Sequence, residues 1–306
     1  MENILLILTL LVAGKLCSLL RAFPRETFKA LSQFVIHVSL PALVLVKVRE
    51  LSLGSEVLAP IVVPWVILAI AAAIVLAVGR WLDWPRATVG ALLLVIPLGN
   101  TSFVGVPLVE ALLGREALPY VLVYDQLGSF LALATYGTIV VAIYGDGDEG
   151  EASRPRPTAA AIAWRIVTFP AFVALVVAFL CRGLTAPPAV EHLLARVADT
   201  LVPVVMFAVG FQFRFRVPRV VMQRAAFGLV LKMVAMPLLA YLGLLLTIGA
   251  THVASRTTVL EAGMPPQISA GAIAIAAGMD SDLVSSILCL GILLAPLTAW
   301  GLTLMF

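Results

Sequence analysis

Two short runs carry residue types on which chemistry could be built. The first is Pro97-Leu98-Gly99-Asn100-Thr101-Ser102-Phe103-Val104-Gly105-Val106-Pro107, and the second is Gly263-Met264-Pro265-Pro266-Gln267. Each interrupts an otherwise apolar stretch. Proline removes a backbone donor and clashes with the preceding turn, so Pro265-Pro266 leaves carbonyls without helical partners. Gly99 and Gly105 permit dihedrals and close approaches that other residues resist. A helix that restarts after such a break presents a partly positive N-terminus, which suits an anionic group such as a carboxylate. The freed carbonyls, with the Asn, Thr and Ser side chains, could instead hold a cation or hydrogen-bond a solute. Asn100, Thr101, Ser102 and Pro107 on the first break, with Met264, Pro265, Pro266 and Gln267 on the second, are the candidate solute contacts. The competing reading is that the polar ones merely re-satisfy the broken backbone.

Ionisable residues within apolar segments are costly, and their default reading is functional. Glu261 lies one turn before Pro265, and Asp125, followed by Gln126, lies about two turns into its own apolar segment by helical geometry. Either acid could carry a proton or, with Gln126, help bind a coupling ion, Na+ or H+. Glu261 reads equally well as a neutral, hydrogen-bonded structural acid. Glu110 falls near Gly114-Arg115 and so approaches the surface, Lys232 is expected to snorkel or pair, and His37 is alone.

A catalytic pattern is present but fails on geometry. Tyr124-Asp125 followed by Gly145-Asp146-Gly147-Asp148 is similar to the paired motifs of intramembrane aspartyl proteases. That chemistry needs two aspartates close enough to share a proton. Here roughly twenty residues of one helix, about 30 Å, separate them. No metalloprotease, nucleotide-binding, serine-hydrolase or dinucleotide motif occurs, so neither enzyme nor ATP-driven pump is expected, and no cofactor. Cys17, Cys181 and Cys289 lie in or beside apolar runs without paired spacing, and read as small hydrophobes rather than metal ligands.

The elements that must position these residues follow from composition. The chain of 306 residues is 62% hydrophobic and 12% charged, with a mean hydropathy of +1.09. Soluble domains have about 25% charged residues. So much apolar surface cannot be hidden in water, and the solvent for most side chains must be lipid. The formal charge of +3 is too small to suggest nucleic acid. Ten apolar runs approach the length of about 20 residues that spans a bilayer: 3–21, 28–48, 57–82, 88–113, 118–144, 159–181, 189–212, 219–248, 252–278 and 282–305. In lipid the backbone must satisfy itself, so each is read as a helix, and the fold class is all-α. The first run lacks the basic start and cleavage site of a secretion signal.

Residues 145–158 form the longest polar stretch, and divide the chain into 1–144 and 159–306 with five spans each. An odd number per half makes the halves inverted if they are repeats. Pro41 in span two matches Pro203 in span seven, and the broken spans four and nine occupy the same ordinal position in each half. Arg21, Arg25, Lys29, Arg80, Arg86, Arg154, Arg156, Arg214, Arg216, Arg219 and Arg224 collect on one side. Lys47, Arg49, Arg115, Arg182, Arg196 and Arg256 collect on the other. The positive-inside rule then makes the central hinge cytoplasmic and both termini extracytoplasmic, in a multi-pass protein of the cell (inner) membrane.

The segment Gly99-Asn100-Thr101-Ser102-Phe103-Val104-Gly105-Val106-Pro107-Leu108 closely resembles the GNTGFLGIPL-like motif of the auxin efflux carrier (AEC) permeases, and Glu261-Ala262-Gly263-Met264-Pro265-Pro266 resembles their second crossover motif. With the span order, the resemblance covers essentially the whole chain; Ser102 stands where glycine is common, and the central hinge is short. The resemblance implies a scaffold of spans one, two, six and seven that forms a homodimer. It also implies a mobile unit of spans three to five and eight to ten, with helices four and nine crossing at a site lined by Asn100 and 264–267. It further implies distant kinship with sodium–bile acid symporters. The expected function is a secondary carrier of small organic anions by elevator-type alternating access. The alternative is a ligand-binding sensor; its usual output domain is not seen before the chain ends at Phe306, which favours transport.

Overall fold

The computed structural model describes residues 2–20, 22–24, 26–48, 54–145, 158–181, 184, 186–212, 221–247, 249 and 251–306. Among these the chain is helical throughout, with no strand. Most of the expected central hinge and the cations Arg21, Arg25, Arg49, Arg154, Arg156, Arg182, Arg214, Arg216 and Arg219 lie outside the described residues.

The first half contains α1 (Glu2–Cys17), α2 (Thr27–Phe34), α3 (Leu40–Lys47), α4 (Leu58–Trp81), α5 (Arg86–Val95), α6 (Val106–Leu113), α7 (Leu118–Val123) and α8 (Thr138–Tyr144). The second contains α9 (Ala159–Val167), α10 (Pro170–Leu180), α11 (Pro188–Ala198), α12 (Leu201–Gln212), α13 (Met222–Val230) and α14 (Met236–Leu245). It closes with α15 (Val253–Ala262), α16 (Ile268–Ala276) and α17 (Ser281–Thr303). Several of these join end to end through π-helical turns, at Val35–Ser39, Thr101–Gly105, Tyr124–Phe130, Leu133–Gly137 and Leu231–Ala235. Among the described residues six continuous helices are long and apolar enough to cross a membrane: Thr27–Lys47, Ser55–Trp81, Arg115–Tyr144, Pro188–Phe211, Met222–Leu245 and Ser281–Thr303. This is a multi-pass membrane protein.

The remaining apolar runs are helical but shorter or divided. The run 88–113 splits into α5 and the helix Thr101–Leu113, and 252–278 splits into α15 and α16. The run 159–181 is also divided, at Thr168-Phe169 before Pro170, where the sequence pattern predicts one uninterrupted span. Phe169 is extended, the conformation favoured before proline, and that ends α9. Pro41 lies within the continuous helix Thr27–Lys47, directly after its π-helical turn Val35–Ser39. Pro203 lies in the first turn of α12, where a missing donor costs little.

Helix ends follow local chemistry. Asp280 caps α17 by accepting from Leu283 N (3.1 Å), and Gly114 (φ 89°) turns the chain out of α6 in a conformation glycine favours. Packing divides the helices into neighbourhoods. α1 lies along α12, while α3 packs on α10 and α11. α5 contacts α8, α16 and α17, and α4 contacts α15. At the α1–α12 crossing Gly14 and Gly210 face the opposite backbone. A Cβ at either would lie 2.1 Å from a carbonyl oxygen, of Phe207 and Leu11 respectively. Such small residues let membrane helices approach closely. Trp81, Leu180, Leu246 and Leu304 are among the large apolar side chains left facing outward, as lipid requires.

Candidate functional site

The two breaks meet. Gly99 and Pro266 form an isolated antiparallel bridge, in which Asn100 N donates to Pro265 O (2.7 Å) and Gln267 N donates to Leu98 O (2.9 Å). The donors and acceptors freed by the prolines thus pair across the two halves of the chain, which is how irregular backbone survives inside a membrane protein. Leu98, Asn100, Met264, Pro265 and Pro266 are all buried.

Polar side chains gather around this bridge, and the rare π-helical turns deliver them. Such turns recur at functional sites. Thr101 and Ser102 occupy the turn Thr101–Gly105, Asp125 and Gln126 the turn Tyr124–Phe130, and Lys232 the turn Leu231–Ala235. Asp125, 3% exposed, accepts at Oδ1 from Thr101 Oγ1 (2.5 Å) and from Ser102 Oγ, and at Oδ2 from Gln126 Nε2 (2.6 Å). The two hydroxyls therefore serve the neighbouring acid, not the broken backbone. Asn100 does both kinds of work. Its Oδ1 accepts from Phe103 N (3.3 Å) as a cap, while its Nδ2 is buried without a hydrogen-bond partner.

Glu261 is fully buried near the end of α15, and neither carboxylate oxygen has a hydrogen-bond partner among the described residues. A Cβ on Gly105 would lie 2.5 Å from either oxygen, so the carboxyl rests on the first break's π turn. Its electrostatic neighbours are Asp125, Lys232 and Tyr124. The reading of Glu261 as a hydrogen-bonded structural acid is not what the structure shows. Gln126 Oε1 and Gln267 Oε1 are likewise buried and unpartnered. A buried polar group without a partner is expensive, and here several stand together.

Sequence reasoning expected Lys232 to snorkel or pair, not to stand beside the bridge. It is 1% exposed and cannot snorkel, with its Nζ 3.1 Å from where a Cβ on Gly99 would stand. The signal available in the sequence was an ionisable residue midway along an apolar run. Pro107 lines a cleft of about 200 Å³ with Lys47, Glu110, Arg115, Asp199 and Pro203. On this rim Arg115 bonds Glu110 Oε1 and Asp199 Oδ1, both at 3.0 Å, so Glu110 does approach the surface. His37 is exposed and paired with Gln33 O (3.0 Å) rather than buried in a core.

A family model described as membrane transport protein matches residues 1–303. The chain belongs to this family. It is the family of the auxin efflux carriers that the two break motifs resemble. An uncharacterized transporter of Methanothermobacter thermautotrophicus is 25% identical over 308 residues, covering 99% of this chain and 98% of that protein. A protein of Rhizobium meliloti named "Putative malonate transporter" is 25% identical over 306 residues, covering 96% and 91%. An uncharacterized transporter of Methanocaldococcus jannaschii is 28% identical over 151 residues, about half of each chain, 48% and 49%. The chain is a membrane transporter, and two of these relatives match it along nearly their whole length.

Proposed function

We propose that this transporter is a secondary carrier of small organic anions, with carboxylates bound at the meeting of the two breaks. The observation that carries the reading is the bridged backbone with unpartnered buried groups beside it. Asn100 Nδ2 is a donor with nothing to donate to, and α16 begins at the bridge with its first N–H groups and no side-chain cap from Gln267. A carboxylate satisfies both. The malonate in the name of the Rhizobium meliloti relative makes dicarboxylates the first class to try.

Support for an elevator comes from packing. α1 packs on α12, α12 on α2 and the Val35–Ser39 turn, and α10 and α11 on α3 and that same turn, as a scaffold would; the cleft holding Pro107 lies between α3 and α12 on one side and α6 and α7 on the other. In this proposal the chain is a 5+5 inverted repeat whose broken spans four (88–113) and nine (252–278) cross at the bridge, and the scaffold carries a homodimer contact. Arg224, assigned to the cytoplasmic side, reaches Thr88 and Asp280, and Thr88 shares the first turn of α5 with Arg86, assigned to the same side, whereas Lys47 and Arg115 share the cleft. That separation agrees with a cytoplasmic hinge and extracytoplasmic termini. Coupling follows from charge. Asp125, Glu261 and Lys232 sum to one negative charge when all are ionised, and adding an anion in a low dielectric is unfavourable without an accompanying cation. Proton or Na+ uptake at Asp125, Gln126 and Glu261 answers this.

The test is uptake of radiolabelled malonate, and of aromatic carboxylates, into proteoliposomes with and without a sodium or pH gradient. Concentrative uptake under one gradient is expected, with Asn100→Ala weakening binding by about tenfold or more. Absence of movement for every carboxylate, or an unaffected Asn100→Ala, removes the proposal.

A further inference from the structure

We infer that Lys232 is the residue that selects for charge, its ammonium serving as the counter-ion for the carboxylate of the bound solute. The inference rests on the carrier reading above and adds a residue that neither the motifs nor the relatives point to.

Lys232 is ten residues past Met222 in a helix that runs to Leu245, so about 15 Å of helix separates it from one end and about 20 Å from the other. An ammonium at that depth costs several kcal/mol unless it is compensated. The usual escape is to stretch toward the interface, but this side chain is 1% exposed. It stands in a π-helical turn, a feature that recurs at functional sites, and its neighbours Leu231 and Met233 are buried with it.

The position of the charge is set by the first break. Nζ lies 3.1 Å and Cε 3.5 Å from the point where a Cβ on Gly99 would stand. Glycine therefore leaves the ammonium lying against the bridged backbone, one residue from Asn100. Among the described residues no carboxylate forms an ion pair with Lys232; Glu261 acts on it only across a longer gap. Around one short stretch of backbone there are thus a buried ammonium lacking an ion-pair partner and a buried amide N–H group, that of Asn100, lacking an acceptor. Both ask for the same thing, an anionic oxygen. A neutral amide in that place would meet the Asn100 donor but leave the ammonium uncompensated.

The competing role for Lys232 is simply to offset Glu261. A comparison of charged and neutral probes separates the two. Binding of malonate and of its uncharged diamide, malonamide, is measured on the purified full chain as wild type, K232M, E261Q and K232M/E261Q. The double variant carries neither buried charge of the pair, so it remains informative if K232M alone fails to fold. The wild type is expected to prefer malonate by at least about tenfold. That preference is expected to vanish in K232M and to stay absent in K232M/E261Q relative to E261Q, while K232R retains part of it. Recovery of the E261Q preference in the double variant overturns the inference, because Lys232 then only offsets Glu261. Equal binding of the two probes by the wild type overturns it while leaving a carrier site in place. Failure of the wild type to bind either probe takes down the carrier reading and the inference together.

Discussion

Asp125 offers a sharp test of whether the polar cluster is held as described. Its carboxylate accepts from Thr101, Ser102 and Gln126, and the residue is 3% exposed. Asp125→Ala leaves three buried donors and a small void. Each stranded donor costs about 1–3 kcal/mol, and the two hydroxyls recover part of this by turning to carbonyls one turn back, so the net loss is about 3–5 kcal/mol. At about 2–4 °C per kcal/mol, the unfolding midpoint in detergent should fall by on the order of 10 °C. Asp125→Asn should behave quite differently. The amide oxygen can still accept from Thr101 and Ser102. Its new N–H groups would face Gln126, whose own Oε1 now lacks a partner and can receive one after the side-chain amide turns over. The expected loss is about 1 kcal/mol or less. The assay is thermal unfolding of both variants beside the wild type, followed by tryptophan fluorescence. An Asp125→Ala midpoint within about 2 °C of wild type, or an Asp125→Asn as damaged as the alanine variant, would refute the bonding scheme. If Asp125→Asn folds normally but abolishes gradient-driven uptake, the charge rather than the packing is what transport needs.

Two further outcomes follow from the same geometry. Gly14→Ala or Gly210→Ala places a methyl carbon 2.1 Å from a backbone oxygen, so each should destabilise by about 1–3 kcal/mol through forced separation of α1 and α12. Gly243→Ala, which meets nothing within 4 Å, should be neutral or stabilising, and thermal unfolding of all three checks the contrast. Arg115 is 63% exposed in its pair with Asp199, so Arg115→Ala should change stability by about 1 kcal/mol at most. It should instead slow anion uptake at low ionic strength, with the difference fading as salt is raised; an equal loss at all salt concentrations argues against a role in attracting the solute.

How much of this was legible in the sequence depends on the kind of feature. The breaks were, because paired prolines and glycines inside an apolar run act directly on helical hydrogen bonding. Asn100, Met264, Pro265, Pro266 and Gln267 do sit where the breaks meet. The bonding of Thr101 and Ser102 to Asp125 was not, because it depends on two segments 23 and 24 residues apart being brought side by side. The place of Lys232 was not legible for a different reason. Whether a lysine in an apolar helix points to lipid or inward is decided by helix phase, and a π-helical turn shifts that phase without a sequence signature. Pro170 shows the reverse lapse, since the same rule that located Pro265 predicts a division at Phe169 that the span count passed over. Pro107 follows the first break on the same helix, and that it lines a cleft with residues of α3 and α12 depends on contacts between distant segments.

The backbone bridge also has a consequence for how the protein is made. Leu98 O and Asn100 N are left unpaired by their own break and find partners only in Gln267 and Pro265. During synthesis the first break emerges well before the second. At about 5–20 residues per second, the interval between Gly99 and Pro266 is on the order of 10 s. Throughout that time the nascent first half holds polar backbone that lipid cannot solvate. It must wait in a hydrated or chaperoned setting, or draw water into itself, until the late helices arrive. The bridge thus acts as a closing step in biogenesis, and a chain truncated before Pro265 should be a substrate for membrane quality control even though it carries complete, strongly apolar spans.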